Sequence, residues 1–72
     1  LPKNVAGYIM EVDDHHKSFQ LYKGITEESE FIVKVYHRQD MSDMLNSLAE
    51  KKRVKIKIKK EGSRYFFEEF VQ

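Results

Sequence analysis

The sequence predicts an all-β chain of five strands and one short helix, in the order β-β-β-α-β-β. Apolar and polar residues alternate over several short segments, as in strands that bury one face. One stretch, at about residues 41–52, carries apolar residues at helical spacing between the third and fourth strand segments. At 72 residues the chain forms a single domain, which we expect to span residues 1–72.

The first two segments predict a hairpin. Residues 5–12 contain Gly7, which indicates a bend, a bulge or a close backbone approach. The buried face is formed either by Val5 and Ile9 or by Ala6, Tyr8, Met10 and Val12, and a bulge near Gly7 would let the strand use both faces. Residues 18–22 form the second strand, with Phe19 and Leu21 inward, after the polar connection 13–16.

The third strand and the helix follow. We expect the strand to bury Phe31, Val33 and Val35, and to expose Ile32, Lys34 and Tyr36. His37 is expected at the surface. Asp40 is a good helix N-cap, and the predicted buried stripe of the helix is Met41, Met44, Leu45 and Leu48. Residues 51–53 are basic and would complement the dipole at the C-terminal end of the helix.

The last two segments predict a second hairpin. Val54, Ile56 and Ile58 alternate with three lysines, the clearest strand pattern in the chain. Residues 60–63 form a turn, with Gly62 available for a positive φ. The final strand, residues 64–71, is aromatic on both faces, so we expect part of its apolar surface to pack on the helix, the chain end or a partner.

This order of elements, with a glycine in the first strand, resembles the OB-fold, a five-stranded Greek-key barrel. The resemblance covers nearly the whole chain, including residues 7–13 and the polar turn after them. It implies a small OB-fold-like barrel whose open bottom is covered by the helix. It also implies a ligand, commonly an oligonucleotide or oligosaccharide, on strands two and three and on loops 13–17 and 60–64. Many such barrels bind proteins instead.

The outward residues of strands two and three combine aromatic rings with cations, as single-strand binders do to stack bases and contact phosphates. Tyr22 and Tyr36 are the predicted stacking residues. The predicted phosphate contacts are Lys17, Lys34, Arg38 and Arg64, with Lys55, Lys57 and Lys59 on the fourth strand. In the alternative interpretation, the tyrosines pack on strand neighbours and the lysines block aggregation at a sheet edge.

Charge is unevenly distributed along the chain. The net charge of +1 predicts no partner, but residues 1–50 hold five Lys/Arg and nine Asp/Glu, whereas residues 51–72 hold eight and three. The first two thirds of the chain are therefore acidic and the final third is basic.

The sequence gives little support for catalysis or a metal, and we expect no cofactor. It contains no cysteine, no nucleophile elbow and no Gly-rich phosphate loop. Residues 13–16 (Asp-Asp-His-His) lack a second ligand cluster and are expected to form a solvated loop. No apolar run approaches the roughly 20 residues of a membrane span, so no membrane partner is expected. The lack of cysteine fits a reducing compartment, and we expect a cytoplasmic location.

Two functional hypotheses result. The leading one is a non-catalytic nucleic-acid-binding module, for single-stranded DNA or RNA. The alternative is a protein-interaction or oligomerisation domain of a larger assembly, a homo-oligomer included. The aromatic final strand and the near-neutral total charge motivate this alternative.

Overall fold

A computed structural model describes all 72 residues and has the predicted order of elements. The five strands close into a barrel in the order β1-β2-β3-β5-β4, and β4 pairs back onto β1. The chain is therefore a small all-β barrel of OB-like topology. The single helix is neither long nor apolar enough to span a membrane. The elements are β1 (Lys3–Asp13), β2 (Ser18–Tyr22), β3 (Phe31–Tyr36), α1 (Ser42–Leu48), β4 (Arg53–Glu61) and β5 (Arg64–Phe70).

The long strand β1 serves two neighbours. Its first half, up to Tyr8, pairs with β4, and its second half, from Tyr8 onward, pairs with β2. At Gly7 the backbones approach closely, since an added Cβ would lie 2.6 Å from the Tyr22 carbonyl oxygen. A close backbone approach at Gly7 was one of the structures that the sequence predicted, and it is confirmed. The predicted bulge near Gly7 is wrong. The register shifts between Met10 and Asp13 instead, where Glu11 adopts a φ of 51°.

The core of the barrel is small, and all of its side chains are aliphatic except Phe19 and Met41. Its residues come from the predicted inward positions of β2 and β4 and, in β1, from Ile9, which belongs to one of the two alternative faces; α1 contributes Leu45 from one end. Burial of these side chains is the main stabilising contribution, at about 1.5–3 kcal/mol for each large one. The buried apolar residues are Ile9, Phe19, Leu21, Val35, Met41, Leu45, Val54, Ile56 and Ile58.

The helix is shorter than the sequence predicted. Met41, not Asp40, occupies the N-cap position, and no side chain caps the first turn. The helix ends at Leu48 because Glu50 adopts a left-handed conformation (φ 61°) and donates its backbone N–H to the Ile9 carbonyl oxygen at 3.0 Å. The basic residues 51–53 therefore lie beyond the helix. Met44, expected in the buried stripe, is 52% exposed.

Two bulges change which side chains face the core. In β3, Leu21 pairs with Val33 but Tyr22 pairs with Phe31, so Ile32 is the extra residue. Phe31 is consequently exposed and Ile32 packs against the core, the reverse of the prediction. In β5, an extra residue at position 68 lets Phe67 and Phe70 both pack against the core.

His37 is buried, although the sequence indicated a surface residue. Its backbone N–H donates to the Lys17 carbonyl oxygen at 3.0 Å, which holds the start of the β3–α1 connection against the β1–β2 turn. The ring lies 6.2 Å from that of Phe19, and Nδ1 is 2.9 Å from the Gln39 carbonyl oxygen. Only a protonated Nδ1 can donate to a carbonyl, so this hydrogen bond requires the ring proton on Nδ1.

Candidate nucleic-acid interface

Three aromatic residues lie side by side on the outer face of β1, β2 and β3. In register, Tyr8 is opposite Tyr22 and Tyr22 is opposite Phe31; we call these three the aromatic row. The Tyr22 and Phe31 rings meet edge to face, with centroids 5.6 Å apart. The Tyr22 hydroxyl donates to Gln20 Oε1 at 2.9 Å, which fixes the ring's orientation. Phe31 leaves 49% of its surface exposed, so the row ends in an accessible ring.

A second aromatic group lies where β3 meets β5. Tyr36 and Phe66 are partners in the parallel pairing, and their ring centroids are 5.9 Å apart. The Arg64 guanidinium lies 4.4 Å from the Tyr36 centroid, and Lys34 Nζ lies 5.3 Å from it. Cations at these distances are attracted to the ring face. Neither Lys34 nor Arg64 has a carboxylate within ion-pair distance, so both charges remain available to a ligand.

Arg38 lies in the same region but its charge is already paired. Its guanidinium stacks 3.8 Å from the Phe66 centroid. It also donates two hydrogen bonds to the Glu61 carboxylate, at 2.8 and 3.4 Å. To contact a phosphate as predicted, Arg38 would have to give up its hydrogen bonds to Glu61.

A cleft of about 480 Å³ opens between β3 and β5. It exists because these strands pair through only two positions, Val35 with Tyr65 and Tyr36 with Phe66, which leaves the first part of β3 without a partner on that side. We call it the seam cleft. Lys3 and Lys60 lie beside the Tyr65 ring, with Nζ 4.8 and 5.9 Å from its centroid. The seam cleft is lined by Phe31, Ile32, Val33, Lys34, Tyr36, Ser63, Arg64 and Tyr65.

The seam cleft brings together three of the nine predicted site residues: Lys34, Tyr36 and Arg64. The sequence missed Phe31 and Tyr65 as cleft residues, and Tyr8 as a member of the aromatic row. No glycine or proline marks the bulge at Ile32, so the sequence held no signal that Phe31 faces outward. Tyr65 was detectable only as part of a strand with aromatic residues on both faces.

The β1–β2 turn is acidic, and Lys17 is its one predicted contact residue. Asp13 accepts hydrogen bonds from the His16 backbone N–H (3.0 Å) and lies 2.9 Å from His16 Nδ1. These hydrogen bonds lower the pKa of Asp13 below its ordinary value of 3.8. Glu11, Asp13 and Asp14 border the same depression as Lys34, which places negative charge on that side of the face.

The lysines of β4 lie apart from the seam cleft. Lys55 is in register with Ala6 of β1, Lys57 with Glu69 of β5, and Lys59 with Phe66. Lys57 Nζ is 3.0 Å from the Glu69 carboxylate, which compensates its charge. Strand β5 separates all three from β3, and none of them lines the seam cleft.

No group of three or more His, Asp or Glu side chains has the geometry to hold a metal ion. The fold and this surface define the class of the protein: a small OB-like barrel with an aromatic outer face and a cleft between β3 and β5. A scan of protein-family models finds no match, and neither the curated proteins nor the solved structures searched contain a significant match.

Proposed function

We propose that this barrel is a non-catalytic module that binds single-stranded DNA or RNA in the seam cleft and along the aromatic row. The observation that carries the proposal is the convergence of Lys34, Tyr36 and Arg64 with two further rings, Phe31 and Tyr65, in one open cleft. Single-strand binders pair stacking rings with cations that follow the backbone. Sequence tolerance is expected, because every base has a π-face.

The aromatic row and the rings at the β3–β5 junction would contact different parts of the ligand. No cation lies over the rings of the aromatic row, whereas Tyr36 and Tyr65 each have two cations beside them. Bases would therefore stack on Phe31 and Tyr22, and phosphates would lie near Lys34 and Arg64. The acidic β1–β2 turn repels phosphate, which directs the strand away from that turn and toward β5.

The test is a fluorescence-anisotropy titration with labelled single-stranded oligonucleotides at several salt concentrations. Phe31→Ala should weaken binding about 5- to 150-fold, corresponding to the roughly 1–3 kcal/mol of one stacked base. Lys34→Ala should reduce the slope of log K against log salt by about 0.7, the value for one phosphate contact on a single strand. No binding by the wild-type protein at tens of micromolar, or binding that is indifferent to salt, would refute the proposal.

Matched controls are available elsewhere on the surface. Ile25→Ala removes a side chain that is 51% exposed, close to the exposure of Phe31, but from the β2–β3 connection. Lys59→Ala removes the same charge as Lys34→Ala from the outer face of β4. Both controls should bind as the wild type does. A loss equal to that of the cleft variants would show that the measured binding is not located in the seam cleft.

A further inference from the structure

Two clefts flank Met44 at the end of the barrel that α1 covers. The first, of about 270 Å³, lies toward the C-terminal end of α1, and the second, of about 300 Å³, lies toward its N-terminal end. Met44 and Phe70 line both clefts, so together they form a continuous apolar centre. We call the two clefts and this centre the Met44 surface.

The two clefts carry opposite charges at their rims. Lys52, Arg53 and Lys55 line the first, and none of them has a carboxylate within ion-pair distance. Asp40, Glu68 and Glu69 line the second. Lys57 compensates Glu69, but the Asp40 and Glu68 carboxylates have no cation within ion-pair distance. The Met44 surface is therefore apolar at its centre, basic on one side and acidic on the other.

We propose that the Met44 surface binds a second copy of this chain in a two-fold symmetric dimer. A two-fold contact places the same surface of each copy against itself. The rotation brings the basic rim of one copy opposite the acidic rim of the other, and it does so twice. The two Met44 side chains meet at the centre, where a flexible thioether adapts to its counterpart. This charge complementarity distinguishes a second copy from a partner that is uniformly acidic or basic.

The proposal gives a charge-swap test by sedimentation velocity over a range of concentrations. The wild type should dimerise as its concentration rises. The basic-rim variant Lys52→Glu/Lys55→Glu and the acidic-rim variant Asp40→Lys/Glu68→Lys should each dimerise more than about tenfold more weakly, because like charges then face each other. An equimolar mixture of the two variants should restore the dimer, since each then supplies the charge that the other lacks.

Three further measurements make the test decisive. Met44→Asp, at a position that is 52% exposed, should abolish the dimer while the far-UV circular dichroism spectrum is unchanged. Lys34→Glu/Lys59→Glu, which matches the charge change of the basic-rim variant on another part of the surface, should dimerise as the wild type does. Neither rim variant should lose oligonucleotide affinity beyond a small effect on salt dependence, which separates this proposal from the seam cleft.

Several results would overturn the dimer. They are a wild type that stays monomeric up to millimolar concentration, rim variants that dimerise normally, or a mixture that does not restore association. A monomeric wild type that instead binds an acidic or basic peptide at the Met44 surface would assign that surface to a different partner and would equally refute self-association.

Discussion

Gly7→Ala is the sharpest test of how the barrel closes. The new Cβ would lie 2.6 Å from the Tyr22 carbonyl oxygen and 3.0 Å from Ile32 Cδ1, both on the neighbouring part of the sheet. The nearest atom is a backbone carbonyl oxygen, which cannot relieve the clash by a change of side-chain rotamer. Overpacking of this kind costs about 1–3 kcal/mol. The lower entropy of the unfolded alanine chain offsets about 0.4–1 kcal/mol of that cost.

The net expectation is a loss of about 1–2 kcal/mol in the free energy of unfolding, or about 5–15 °C in Tm for a domain of this size. Urea and thermal unfolding followed by far-UV circular dichroism would measure it. Gly24→Ala is the matched control, because its Cβ would meet only the Ser29 side chain, whose Oγ at 2.8 Å can rotate away at the cost of one exposed hydrogen bond from the Thr26 N–H. A Gly7→Ala variant as stable as Gly24→Ala would refute the close approach of β1 to β2.

Three further predictions concern the turns and the outer face. Glu50→Gly should raise the free energy of unfolding by about 0.5–1 kcal/mol in urea titrations, because relief of the roughly 1–2 kcal/mol of left-handed strain exceeds the about 0.4–1 kcal/mol of extra unfolded-chain entropy that glycine brings; a loss would contradict this. The lowered pKa of Asp13 stabilises the fold above its ordinary value of 3.8, and this contribution is lost as the pH falls through the folded-state pKa. The stability difference between wild type and Asp13→Asn should therefore shrink from about pH 6 to about pH 2, and a constant difference would exclude the His16 hydrogen bonds as its cause. Glu61→Gln should free Arg38, which raises oligonucleotide affinity and steepens the salt dependence by up to about 0.7 in slope; unchanged affinity would place Arg38 outside the interface.

The element order followed from the sequence because side-chain alternation is a local property. Val54, Ile56 and Ile58 alternate with lysines, and all three are buried as predicted. Phe19 and Leu21 are likewise buried on β2. Where each helix or strand ends depends on long-range contacts instead. The helix stops because the Glu50 N–H bonds to the Ile9 carbonyl oxygen, about forty positions away in the chain, and the residues after Leu48 include no Gly or Asn that would predict this end.

The candidate site was only partly predictable, for a related reason. A strand pattern with a period of two assigns faces correctly until a bulge shifts the register by one residue. The bulge at Ile32 exchanges the faces of Phe31 and Ile32, whereas Lys34 and Tyr36 beyond it keep the predicted outward face. The seam cleft depends on how few residues pair between β3 and β5, which is a property of barrel closure and has no counterpart in the local sequence.

The small core explains why so many rings lie outside it. Only one aromatic side chain, Phe19, is fully buried in the barrel, and the others pack at its edges or on its outer face. Several of the outer rings are stabilised by the chain's own cations, as Phe66 is by Arg38 and Tyr36 by Arg64. A nucleic acid that enters the seam cleft would keep these cation–ring contacts and add phosphates to the cations' other side. Stacking on Phe31, which has no cation over its face, should therefore contribute the largest single gain in affinity, and truncation of Phe31 should cost more than truncation of Tyr36.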